Sequence, residues 1–152
     1  MSSANELVVD VHRLVEASSL LSVEVFKLSA ERQLDVEPTD DFEIDPSYLL
    51  TTDFRDDGAG FRIRLLTDIE TPIGTISCGV LAEYAHDGVR LGPESSEALN
   101  EFVNGVALMH IIPYVRQAIA DVTLRVYQSP LLMPILQRGQ MTFDVSIDST
   151  SR

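Results

Sequence analysis

The sequence predicts an α+β domain: a four-stranded antiparallel sheet, a long C-terminal helix, and a short helix ahead of the first strand. Three observations carry this. Apolar and polar residues alternate in three stretches between Leu21 and Tyr84, the period of half-buried strands, and residues 48–54 add a further strand candidate. The last three of these four candidates follow one another through links too short for parallel crossovers, which favours an antiparallel meander. From residue 95 to residue 128 the apolar positions recur at three and four instead, the period of a helix.

Taken in order, Leu7, Val8, Val11, Leu14 and Val15 share one helical face, and Ser18-Ser19 ends that element. Leu21, Val23 and Val25 alternate with Ser22 and Glu24, after which Phe26 and Leu28 follow on the other parity. One extra residue changes parity in this way, so the first strand is expected to carry a β-bulge. Residues 35–46, with Asp40, Asp41, Glu43 and Pro46, read as a long acidic connection. Residues 48–54 form the next strand, closed by the turn signal Asp56-Asp57-Gly58. Phe61, Ile63, Leu65 and Ile69 share one face of the third, opposite Arg62, Arg64 and Asp68, and Pro72 and Gly74 punctuate it. Ile76, Cys78, Val80, Ala82 and Tyr84 make one face of the fourth, which His86-Asp87-Gly88 stops.

The long helix carries Leu99, Phe102, Val103, Val106, Met109, Ile112, Val115, Ile119, Val122 and Val126 on its apolar side. Pro113 removes a hydrogen bond and is expected to kink or divide it. The stripe is wider than one sheet would cover. Deep burial in the monomer and burial in an oligomer interface both suit it; the second is favoured, because four strands have too little area to cover such a helix twice. Next comes an apolar loop, Ser129-Pro130-Leu131-Leu132-Met133-Pro134-Ile135-Leu136, which is either packed or adhesive. No repeats are apparent, and the 152 residues read as one domain over 1–145 with a disordered tail at 146–152.

The chemical inventory is mostly negative. The net charge of −13, with a single lysine, Lys27, repels phosphate backbones and argues against nucleic-acid binding. One cysteine, Cys78, makes no internal disulfide; this and the want of a signal-like start point to a reduced cytoplasmic protein. The longest apolar run is far short of the ~20 residues that cross a bilayer, so membrane insertion is not expected. His12, His86 and His110 lack the spacing of a metal site, no nucleotide or cofactor fingerprint is present, and neither metal nor cofactor is expected. His110 reads as a satisfied core or interface histidine and Cys78 as an inert buried thiol. Residues 53–64 imitate a calcium loop, but Arg55 and Arg64 stand where carboxylates must ligate, so Asp53 to Gly58 is a hairpin turn. No catalytic residues emerge. What remains is apolar sequence beyond the needs of one core, which suits a binder of apolar chains, since burial is non-directional.

The order of elements resembles that of the SecB protein-export chaperones. The most specific local match is Ile112-Pro113-Tyr114-Val115-Arg116, similar to the family's apolar-Pro-Tyr-x-Arg signature in its first long helix, followed by Ala118-Ile119 and then a Pro-containing apolar segment. Cys78 in the last strand is a further likeness, and the resemblance covers about residues 20–136. It implies a homotetramer, a dimer of dimers with the long helices sandwiched between sheets, and ATP-independent binding of unfolded polypeptides in apolar grooves for protein transport and translocation. Two departures point away from partnership with the translocase ATPase SecA: no clear counterpart to the family's second helix and acidic tail follows Gln137, and Gly79 stands where SecB proteins often carry Glu. The added N-terminal helix fits SecB-like relatives that guard antitoxins in toxin–antitoxin–chaperone systems.

The leading expectation is thus a SecB-like holdase with Val23, Val25, Phe42, Ile44, Leu131, Leu132, Met133 and Ile135 binding peptide. Ile112, Tyr114, Ile119 and Val122 are assigned to the oligomer interface, with Pro113 and Arg116 shaping that segment. A dedicated antitoxin chaperone is the first rival. A hot-dog-like thioesterase or lipid-binding protein is the second, and would want an acid at the helix entry, where Glu94, Glu97 and Glu101 are the candidates.

Overall fold

The computed structural model describes residues 5–37, 44–133, 143 and 145; Phe42, Ile135 and the expected tail at 146–152 lie outside the described residues. Strands β2 (Ser18–Arg32), β3 (Ser47–Phe54), β4 (Gly60–Thr71) and β5 (Gly74–His86) form one antiparallel sheet in the order β2-β5-β4-β3. The last three are the expected meander, and β2 returns to pair with β5. Alternation puts Phe61, Ile63, Leu65 and Ile69 of β4 and Ile76, Cys78, Val80, Ala82 and Tyr84 of β5 on one buried face. The β3–β4 turn needs Gly58 at φ 71°, and Asp57 braces it by accepting from Ala59 N–H at 3.0 Å and pairing with Arg55 at 2.6 Å.

β2 slips register against β5 twice, between Leu20 and Ser22 and between Val25 and Lys27. The second slip is the bulge expected from the parity change. The first takes Leu21 out of the face shared by Val23 and Val25, which pair across from Ala82 and Val80.

The N-terminal helix is shorter than its apolar spacing suggests. Leu7 belongs to β1 (Glu6–Leu7), which pairs in parallel with β6 (Val89–Arg90), and α1 runs only over Val11–Ala17. Two forces set this start. Val8 N–H is taken by the Arg90 carbonyl at 3.0 Å, and Asp10 caps the helix by accepting from His12 N–H at 3.0 Å.

After a 3-10 turn at Pro93–Ser95, helix α2 (Ser96–Phe102), a π-turn (Val103–Ala107) and α3 (Leu108–Val126) form one uninterrupted helical run. Pro113 does not divide it. The residue lies on the exposed side of the helix, where its ring displaces no core packing. The irregularity lies earlier, in the π-turn. α3 packs over β2 and β5 through Leu108, Ile111, Ile112, Val115, Ala118, Ile119 and Thr123, all buried. Ile112 and Ile119, assigned to an interface between copies, therefore lie in this chain's own core.

Phe61 stacks on Tyr84 at 5.2 Å, and Phe102 meets them edge-on at 5.5 and 5.0 Å, joining α2 to the centre of the sheet. The Tyr84 hydroxyl and His110 Nδ1 share a 2.8 Å hydrogen bond, so His110 is satisfied, as expected. At the far end Tyr127 donates to the Glu31 carbonyl at 3.1 Å, tying the end of α3 to β2. Gly74 sits beneath that contact, where an added Cβ would fall 1.8 Å from the Glu31 oxygen. Gly74→Ala should therefore lower stability by about 2–3 kcal/mol, as overpacking does; urea unfolding of the two chains measures it.

Candidate functional site

At the margin of α3's packed face, Tyr114, Gln117 and Asp121 stand beside buried Ala118 at intervals of three and four, and so share one helical face. They look across to Val25 and Leu28 of the edge strand β2, enclosing a groove of about 360 Å³. That volume lies at the lower end of the ~300–1,000 Å³ usual for ligand sites. Its apolar walls stay open to solvent, with Val25 44%, Leu28 42% and Tyr114 47% exposed. Asp121 is the charged residue of the lining. The groove can bury apolar side chains, and its acid suits a segment that also carries a basic residue.

The groove unites residues expected in two different roles: Val25 for peptide binding and Tyr114 for assembly. The other candidates are spread out. Val23, Ile44 and Leu131 are half-buried against the core, Met133 is buried, and Leu132 is 74% exposed. The apolar loop is thus packed at Leu131 and Met133 and outward at Leu132. Thr123 sets this arrangement: its hydroxyl donates to the Ile119 carbonyl at 2.6 Å and accepts Leu131 N–H at 2.7 Å. Pro113 is exposed beside Tyr114, while Arg116 and Val122 are half-buried. Leu28, Gln117, Ala118 and Asp121 were not singled out from the sequence, although the spacing from Tyr114 to Asp121 was there to be read.

The face of the sheet away from the helices holds a second apolar area. Exposed Leu49 and Phe26 belong to it, and Phe26 lies over Gly79, where a Cβ would come within 2.5 Å of the ring. The glycine that departs from the family's Glu makes room for this aromatic. Towards the β3–β4 turn, a cleft of about 380 Å³ is lined by Leu21, Phe54, Phe61 and Tyr84 with Asp53, Arg55, Asp56, Arg62 and Glu83. Its rim carries the ion pairs Arg62–Glu83 at 2.5 Å and Arg64–Asp53 at 2.8 Å.

Glu94, Glu97 and Glu101 are exposed and line neither cavity. Burial pushes the Cys78 thiol up to about 11 and pulls the His86 imidazole below its ordinary value. Among the described residues no three His, Cys, Asp or Glu side chains gather as metal ligands, and no helix is long and apolar enough to cross a membrane.

A four-stranded antiparallel sheet in the order β2-β5-β4-β3, backed by a long helix, is the SecB-like fold. Among solved structures, the chain is similar to the Mycobacterium tuberculosis SecB-like chaperone Rv1957 in complex with a ChAD peptide from the antitoxin HigA1. The TM-score is 0.67 at 17% identity, over 83% of this chain and 92% of that one. A protein of unknown function from Streptococcus agalactiae overlaps more loosely, with a TM-score of 0.47 at 17% identity over 78% of this chain and 97% of that one. No family model and no curated protein matches the sequence.

Two outcomes follow. Thr123→Val, which keeps the volume but leaves Leu131 N–H without its acceptor, should cost about 1–2 kcal/mol and speed proteolysis at residues 129–133; limited proteolysis with mass spectrometry reads it. Cys78 should resist a thiol reagent at pH 8 in the native chain and react at once in denaturant, because its protonated form persists until about 11.

Proposed function

We propose that this chain is an ATP-independent holdase that captures apolar stretches of unfolded polypeptide. The observation that carries the reading is the open groove formed by Val25 and Leu28 with Tyr114 and Ala118. The likeness in fold to a chaperone solved with an antitoxin peptide supports it. Each large apolar side chain fully buried in such a groove contributes ~1.5–3 kcal/mol before ordering costs, so one groove holds weakly. The chain acts as a homotetramer, a dimer of dimers, and four grooves hold one long client by avidity. Pro113, exposed on α3, is the residue offered to assembly. The net charge of −13 keeps the loaded particle in solution and attracts basic clients.

The client class has two forms. Precursors held in the cytoplasm for export are one, and a single antitoxin segment is the other, favoured by the peptide that the mycobacterial protein was solved with. Co-expression with a toxin–antitoxin pair separates them: a dedicated chaperone shields only its antitoxin from proteolysis.

The direct test is light scattering from a thermally denatured model enzyme without ATP. Stoichiometric chain should suppress aggregation, and Val25→Asp or Tyr114→Asp should weaken suppression at least threefold while the far-UV spectrum is kept. No protection at severalfold excess refutes the reading. Native mass spectrometry should give four copies of the 16.8 kDa chain; a stable monomer would undo the assembly.

A further inference from the structure

Asn100 on α2 and Asn104 in the π-turn stand one helical turn apart, and both amides face residues from far down the chain. Asn104 Oδ1 accepts Phe143 N–H at 2.7 Å, and its amino group donates to the Phe143 carbonyl at 2.8 Å. Asn100 Oδ1 accepts Val145 N–H at 3.0 Å. The Asn104 amino group also lies 3.1 Å from Asn100 Oδ1 and 2.8 Å from the Asn100 carbonyl, which holds the two side chains in register.

A carboxamide presents the donor and acceptor of a peptide group. Bonded to both the N–H and the C=O of one residue, it replaces the neighbouring strand of a sheet. These bonds read main chain only, so they accept any sequence. Side chains are read separately and by polarity: Val145 is buried in the main core and Phe143 packs partly against it. In sequence, Met141, Phe143, Val145 and Ile147 stand at alternate positions, the pattern that offers one apolar edge to such a site.

We propose that the Asn100–Asn104 face is a binding site for extended polypeptide with apolar residues at alternate positions. The chain's own Phe143 and Val145 are its residents, and a client or antitoxin strand of the same pattern displaces them. The displacement rests on the chaperone reading; the site itself rests on the asparagine bonds. It is separate from the Val25–Tyr114 groove and shares no lining residue with it. A tethered resident competes at an effective concentration of about millimolar for a short linker. A free copy of the segment therefore binds the parent chain poorly, whereas a long client engaging several grooves at once overcomes that handicap.

The test uses the full chain and a fluorescein-labelled, end-capped peptide with the sequence of residues 139–149. Phe143→Asp with Val145→Asp evicts the resident. The peptide is expected to bind this variant at least tenfold tighter than the parent, and adding Asn100→Ala with Asn104→Ala is expected to abolish the gain. Equal affinity for parent and evicted chains, or binding indifferent to the two asparagines, overturns the proposal. Asn104→Ala alone guards against a poorly folded variant: amide exchange at Phe143 should rise at least tenfold while the amides of α3 keep their protection, and unchanged exchange overturns the docking. Reduced, carboxymethylated α-lactalbumin, an unfolded client, should displace the labelled peptide from the evicted chain; failure to compete overturns the client role. A chain that passes the peptide arms yet suppresses no aggregation keeps this site and loses the holdase reading, so the two failures are told apart.

Discussion

One helix cannot cover a four-stranded sheet, and the rest of this structure follows from that shortfall. A helix with its side chains is about 10–12 Å across, and strands lie about 4.8 Å apart, so one helix spans little more than two of them. α3 spends Leu108, Ile111, Val115 and Ile119 on β2 and β5. Phe102 extends the cover towards β4 by its contact with Phe61. Even so the cover over the edge strand β2 is incomplete: Leu20, Val25 and Leu28 stay partly exposed, and Phe26 and Leu49 remain open on the opposite face. Area that a closed fold would have buried is thereby left open to solvent.

On the reading proposed above, the groove beside α3 and the paired asparagines recognise chains by complementary physics. Burial in the groove is non-directional and tolerates Leu, Ile, Val or Phe alike. The amides bond to backbone, which every residue has. Neither demands a particular sequence, and together they describe a surface for extended apolar chains. The marked acidity of the protein acts at longer range, setting which chains approach.

Much of this was legible in advance. The strands were plain because half-buried strands alternate, and the bulge after Val25 was written in a parity change that Phe26 and Leu28 impose. Hidden from view was the slip at Leu21, because Leu21, Val23 and Val25 alternate perfectly whether or not a residue is skipped. The start of α1 was misplaced because Leu7 and Val8 have helical spacing, yet a distant strand at Val89–Arg90 claims their backbone. Long-range pairing overrides local pattern in this way. Pro113 was expected to break the helix from its own chemistry; its exposure, a property of the tertiary fold, made it tolerable. Val25 and Tyr114 were each singled out for a different role, and only the packing of α3 against β2 shows that they share a groove. Asn100 and Asn104 gave no signal at all, since two polar residues on a helix look solvated until Phe143 and Val145 return to meet them.

The π-turn at Val103–Ala107 amounts to one surplus residue threaded into a helix. Since a helical residue advances the azimuth by about 100°, that surplus uncouples the phase of the first two turns from that of the remaining five. The upstream part can present Asn100 to Val145 without disturbing how Ile111, Val115 and Ile119 mesh with the sheet. Removing a single codon there would swing one set of side chains round relative to the other, so the gain or loss of one residue is enough to make or unmake the seat for Phe143 and Val145.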